Sequence, residues 1–324
     1  MDFTMKSRIG LRGALLTALF AVPVPAPAAD LPAPASLRES PRIAAPERAP
    51  ILAATRAGKR IVAVGDYGII IYADAAGNFR QAAAVPTRAV LTSVFFLDDK
   101  RGWAVGHDGT VIASADGGAT WQLLREERGK ERALMSVWFE NPQHGIAVGQ
   151  FVLALETDDG GKTWRERRLA EGDSGDKHLL QLFTAGGGLV LIAAEAGAVF
   201  RSEDSGRNWK LIQTDNKGSF WTGAALADGA LLAAGMRGHI YRSADRGVTW
   251  RELPSGTQQS LTAIVQREDG EVRLIGLAGT VLTSKDGGRS FQAGVRADRA
   301  NLTATAATPS AQVLFSVSGV VAEK

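Results

Sequence analysis

Among its 324 residues the chain has no cysteine, four histidines and three tyrosines. The lack of cysteine excludes a disulfide framework, a thiol nucleophile and an anchor through lipidated cysteine. It also removes the soft ligands of most structural zinc sites. The histidines, His107, His144, His178 and His239, are scattered along the chain, so neither a metal site nor a cofactor is expected. Charge of one sign is lacking too. After residue 29 there are 34 basic and 33 acidic residues, which gives no global electrostatic case for nucleic acid. No later segment is apolar enough to cross a membrane as a helix.

The first 29 residues differ from the rest. Lys6, Arg8 and Arg12 precede the short apolar stretch from Gly13 to Val22, and "APAAD" then offers small residues for cleavage. This pattern reads as a signal peptide over 1–29 and places the mature chain in the periplasm. Residues 30–40 form a Pro/Ala-rich linker, in which repeated proline disfavours helix and central strand.

What is abundant is glycine, 37 residues, much of it in one recurring string. "SADGGATW" at 114–121 returns as "TDDGGKTW" at 157, "SEDSGRNW" at 202, "SADRGVTW" at 243 and "SKDGGRSF" at 284. A degenerate copy, "YADAAGNF", begins at 72. The aligned Asp74, Asp116, Asp159, Asp204, Asp245 and Asp286 are 42, 43, 45, 41 and 41 residues apart. Each box follows two apolar runs joined by a Gly-centred turn, and each unit opens with another β-prone run, such as "LTSVFF" at 91 or "WTGAAL" at 221. There are seven such openings. Units of four short strands, a to d, at this period predict an all-β, seven-bladed β-propeller over residues 41–324. The seventh unit stops before its box, at "LFSVSGVVAEK". The segment "PRIAA" at 41–45 is therefore expected to supply its missing outer strand and close the ring, because open edges invite aggregation.

The box reads as structure. Its Asp fixes a tight turn, its second glycine takes a positive φ, and its Ser or Thr is expected to bond across the hairpin. Trp121, Trp164, Trp209, Trp250 and Phe291, five residues after each Asp, are expected to fill the gaps between blades. The string resembles the Asp-box, or BNR repeat. The wider unit, G-W-A-V-G-x-x-G-T-V-x-x-S-x-D-G-G-x-T-W, resembles the Ycf48-like family, which is named for a photosystem II assembly factor. The resemblance covers about residues 41–324 and implies a seven-bladed propeller that binds proteins without catalysis and presents an Arg-rich face.

Topology puts the b–c turns and d–a connections at one end and the boxes at the other. The b–c turns carry residues that differ between units, among them Tyr67, His107 and Arg237. The connections add Arg88, Arg132 and Lys217, with Trp221 just behind. Varied side chains on a repeated scaffold suit recognition, and Arg and aromatics are favoured anchors. Acidic neighbours such as Glu126, Glu127 and Glu131 dilute the patch.

Other strings fail on inspection. "GDSG" at 172 lacks an arranged triad, and "GGKT" at 160 lacks the first glycine and the helix of a phosphate loop. "DDGG" lacks the later oxygen ligands of an EF-hand. Asp-boxes also occur in sialidases, and Tyr67, Glu195, Asp66, Asp108 and Arg237 are a conceivable constellation for glycoside hydrolysis. The leading expectation is an exported, monomeric, non-catalytic scaffold or assembly factor for a membrane complex, with a protein partner. The alternatives are a secreted glycosidase and a glycan-binding module.

Overall fold

The structure, a computed structural model, describes residues 38–73, 77–170, 176–307 and 312–322. The proposed signal peptide, most of the linker, Asp74 and the "GDSG" string lie outside the described residues.

The chain folds into seven antiparallel sheets, each formed by strands consecutive in sequence. Blade two shows the pattern: Leu91–Phe96, Gly102–Gly106, Val111–Ser114 and Gln122–Arg125. Strand a of each blade lies against strand a of the next, and that of blade seven (Leu302–Ala307) lies against that of blade one (Ile51–Ala57), which closes the ring. The second strands are buried along their whole length in blades two to five, because a neighbouring blade covers each face. They accordingly read as near-continuous apolar runs, whereas the outer strands are exposed. The hydrophobic core is divided among the seams between blades. On the axis, hydroxyls tie neighbours together. Thr92 Oγ1 donates to the Leu134 carbonyl at 2.6 Å, and Thr303 Oγ1 donates to that of Ile51 at 2.6 Å.

Each complete box joins strand c to strand d. In blade two, Asp116 Oδ1 accepts the Thr120 N–H at 2.9 Å and Oδ2 accepts the Thr120 hydroxyl at 2.6 Å. Ser114 Oγ donates to Asp116 at 2.9 Å and accepts the Gly118 N–H at 2.9 Å. The Ser therefore bonds within its own turn and not across the hairpin, and the main reach of the Asp is four residues ahead. Gly118 has φ of +87°, a conformation that excludes most side chains. Trp121 turns back to donate to the Gly118 carbonyl at 3.0 Å and is only 4% exposed. Its ring meets Phe96 edge-on and packs with Val62, Val64 and Ala82 of blade one. Each box aromatic fills the seam toward the preceding blade.

The expected N-terminal strand is not formed. Blade seven has three strands, Leu302–Ala307, Gln312–Ser316 and Gly319–Val321, and residues 41–45 are not paired to them as a fourth. Pro41 and Pro46 have no N–H to give a ladder. The segment is instead a strap along the outer strand of blade one (Phe79–Gln81) and the residues after it. Gln81 Nε2 donates to the Pro41 carbonyl at 2.7 Å, Gln81 Oε1 accepts the Ile43 N–H at 3.2 Å, and Arg42 donates to the carbonyls of Ala82 and Ala83. Ile43 packs with Phe79, Phe315 and Val320 in the seam between blades seven and one. The segment thus supplies a side chain to the closure, but no strand.

Candidate functional site

The b–c turns and d–a connections share one end of the ring, as the connectivity requires. The two are hydrogen-bonded: Gly109 N–H donates to the Arg132 carbonyl at 2.7 Å, and Val152 N–H to that of Lys177 at 2.8 Å. The connection crosses so tightly that a Cβ on Gly238 would sit 2.3 Å from the Thr257 carbonyl oxygen. The residue before this crossing point carries a side chain although its backbone is left-handed. Tyr67, Asp108, Phe151, Ala196, Arg237 and Ala278 have φ between +52° and +56°. Such a conformation costs about 1–2 kcal/mol for a non-glycine residue, and local strain of this kind clusters at functional surfaces. The scaffold holds these six side chains outward at equivalent places on successive blades.

The predicted residues divide into three groups. Tyr67, His107, Arg237 and Lys217 are exposed on this face. Among the described residues, nothing bonds the Arg237 guanidinium or the Lys217 ammonium. Arg88 is also exposed, but its Nε donates to the Glu39 carbonyl at 2.8 Å, so it fastens the strap. Arg132 is half-buried and paired with Glu166 at 2.7 Å, which raises its pKa. Nearby, Arg128 meets Glu126 at 2.7 Å and Arg125 meets Glu127 at 2.9 Å. The basic character expected around blade two is therefore largely neutralised, while Arg237, Lys217 and the exposed Arg299, on the connection between blades six and seven, keep unpaired charges among the described residues. Trp221 is not on the rim. It belongs to strand a of blade five (Phe220–Ala225) and lines a channel cavity of about 210 Å³ with Ser136, Gln181 and Thr262.

Phe151, in the b–c turn of blade three, is an exposed aromatic of this face that is not among the residues chosen from the sequence. Its ring is 55% exposed and meets His178 edge-on at 4.9 Å; Tyr67 is 59% exposed and Val317 51%. The available signal was an aromatic at the position equivalent to Asp108 and Arg237. Phe151 borders a cavity of about 380 Å³ with His107, Asp108, Lys130, Arg132 and Gln150. A second cavity, about 750 Å³, opens on blade five beside Arg237, His239, Glu252, Ser255 and Thr257, where His239 Nδ1 lies 2.6 Å from Glu252.

The arrangement suits binding better than the glycosidase constellation. Asp108 and Arg237 line these two separate cavities, which share no residue. Asp66 accepts the Tyr67 N–H at 2.7 Å, and Glu195 accepts the His178 N–H at 2.9 Å. On the opposite side, His144, Glu156 and Asp158 bring ligating atoms within 4.8 Å of one another. However, Glu156 is held by Arg165 at 2.8 Å and Arg167 at 3.0 Å, while His144 lies between Asp158 and the Ser205 carbonyl. The two guanidiniums already balance the carboxylate, and the trio reads as a strut between blades three and four. Among the described residues, no helix is long and apolar enough to cross a membrane.

Several known proteins share this architecture. A Synechococcus protein, "Photosystem II assembly protein Ycf48", is 38% identical over 131 residues, 40% of this chain and 39% of that protein. The matched part therefore spans about two fifths of that relative's length. A solved structure described as "YCF48 bound to D1 peptide" superposes with a TM-score of 0.68 at 20% identity, over 84% of this chain and 92% of that one. A streptogramin B lyase gives 0.71 at 13% identity over 87% and 95%. The virginiamycin B lyase of Staphylococcus aureus gives 0.72 at 12% over 85% and 94%. At such identities these structures establish the fold alone. Residues 73–263, more than half of the chain, match the family described as photosynthesis system II assembly factor YCF48, and the chain belongs to that family.

Proposed function

We propose that this chain is an exported, monomeric, non-catalytic assembly factor, which holds an extended segment of a membrane-complex subunit on its b–c turn face. The observation that carries this reading is the row of left-handed turn tips, with the exposed Tyr67, Phe151 and Arg237 mounted on a family-defined propeller. Rigid presentation limits the ordering cost of binding. Aromatics together with the unpaired Arg237 guanidinium suit a peptide that has apolar side chains and an acidic group. The family description and the relative solved with a D1 peptide make a photosystem II subunit the first partner to test. Catalysis is disfavoured because the candidate acid and the candidate arginine line separate cavities. Export rests on the basic and apolar start of the chain.

The test is a titration of the chain with a D1 peptide, together with cross-linked capture from the native cell envelope. Wild type, Arg237→Glu and Phe151→Ala are compared. Saturable binding by wild type that both variants weaken about tenfold or more supports the face. Binding unchanged in both variants refutes it. Hydrolysis of a glycoside, lost in Tyr67→Phe, would refute the non-catalytic reading. Cell fractionation with and without residues 1–29 tests export.

A further inference from the structure

We propose that the channel mouth beneath the b–c turns is a pocket for one uncharged, mainly apolar side chain of the segment held on that face. The occupant rests on the reading of the face as a partner site; the pocket itself is built from other residues. The first strand of every blade bulges at its second residue, which is left without an opposite in the second strand. A bulge re-aims a side chain, and all seven bulged residues line the bore. They form a collar just below the turn tips. The first residue of a turn donates its N–H to the carbonyl two places before the bulge: Gln150 to Ala133, Glu195 to His178 and Met236 to Ser219.

The collar has two chemistries. In blades two, six and seven the bulged residue is Thr92, Thr262 or Thr303, and each hydroxyl already donates to a carbonyl of the next blade. In blades three, four and five it is Met135, Leu180 and Trp221, an unbroken apolar arc, with Leu52 of blade one on the far side. These four are half-buried, and among the described residues none joins the apolar clusters of the seams. Large apolar side chains gathered at an open mouth, and packed into no core, mark a place for a ligand.

The lining indicates what enters. The cavity, about 210 Å³, has no charged residue in its wall, so a charged side chain would be buried there without a partner. Among the described residues, Trp221 Nε1 and Gln181 Nε2 donate no hydrogen bond, and Ser136 Oγ, which accepts the Leu182 N–H at 3.0 Å, has no acceptor for its own proton. The wall therefore suits an apolar body that ends in nothing more polar than a neutral acceptor. Above the arc stand the left-handed tips Phe151, Ala196 and Arg237. The middle tip carries only a methyl group, so the entrance lies between an aromatic ring and an unpaired guanidinium. The segment accordingly pairs an apolar anchor in the bore with an acidic neighbour at Arg237.

The full chain, labelled with fluorotryptophan, is titrated with N-acetyl-phenylalaninamide and followed by fluorine NMR. The Trp221 signal is identified by its loss in Trp221→Phe. The amide of N-acetyl-aspartate is the charged control, and glucose tests a carbohydrate occupant. The expected result is a saturable shift of the Trp221 signal with the phenylalanine amide and none with the aspartate amide. Leu180→Asp should weaken binding about tenfold or more, and the milder Met135→Gln about threefold or more. Unmoved signals from the other tryptophans show that each variant is folded. The proposal is overturned if the phenylalanine amide gives no saturable shift, if the aspartate amide gives an equal one, or if both variants bind as wild type does. Glucose moving Trp221 where the amide does not would also overturn it, as would a signal that shifts with protein concentration alone, which would seat a second copy there. A D1 peptide that fails to bind a chain still taking the amide would reject that partner and keep the pocket. A D1 peptide that binds without moving the Trp221 signal would keep the face and reject the pocket.

Discussion

Asp204 and Asn208 are joined twice, the Asn208 N–H meeting one carboxylate oxygen at 2.8 Å and its side-chain amide the other at 2.7 Å. Burial opposes the charge, but these bonds prevail and bring the Asp204 pKa down to about 2. Asp245 reaches about 2 in the same way, against burial and through Thr249. Asp159 reaches about 2 through Thr163. A carboxylate whose pKa is depressed in the folded state contributes stability that is present above its unfolded pKa and is lost as pH falls through its folded value. The melting temperature should therefore hold down to about pH 5 and fall steadily toward about pH 2. Asp204→Asn should lower it near neutrality and flatten the acid slope. Thermal melts across this range check both, and an unchanged slope in the variant would remove the box from the explanation.

Trp121 is the most deeply seated of the box tryptophans. Its replacement by Ala opens a cavity between blades one and two and should cost about 3–5 kcal/mol. Equilibrium denaturation measures this. A loss below about 1 kcal/mol would mean that the seam collapses around the gap.

Tyr67 should separate stability from recognition. Tyr67→Gly relieves a left-handed residue that is otherwise exposed, so stability should stay level or rise by up to about 1 kcal/mol. Partner affinity should fall in the same variant. Denaturation and binding measured on one preparation decide the matter, and a clear loss of stability would show that the ring supports the fold.

Ile43 closes the last seam from the strap. Ile43→Ala removes a half-buried side chain and should cost about 1–2 kcal/mol. Arg42→Ala should act at the same place by releasing the carbonyls of Ala82 and Ala83. Faster proteolysis near residue 40 in either variant would support the strap, and identical digestion would count against it.

The ring was legible because its signals are local and repeated. The spacing of Asp116, Asp159, Asp204, Asp245 and Asp286 sets the period, the seven β-prone openings set the number of blades, and the Gly-centred turns set the hairpins. The strap was misread because the shortage of strands in blade seven is visible in sequence, while the attraction of Gln81 for the Pro41 and Ile43 backbone is not. Face membership followed from connectivity, so Tyr67, His107 and Arg237 were found. Electrostatic state did not follow. Arg132 and Arg88 look alike in sequence to Arg237, and only spatial neighbours show that Glu166 and the Glu39 carbonyl already hold them. Trp221 lies in a strand whose alternation sends alternate side chains to the channel, and a shift of one residue decides between rim and bore.

The bond from Thr303 to the Ile51 carbonyl spans 252 positions of sequence. Blade one leaves the ribosome long before its second neighbour exists. Until blade seven arrives, the flank of blade one that will carry Ile61, Ala63 and Ile71 against Phe315 has no cover. Contacts of such separation slow folding and prolong the exposure of apolar surface. The ring therefore makes its first blade wait for its last. A chaperone that shields the opening blade should raise the yield of folded protein more than one acting on blades two to five.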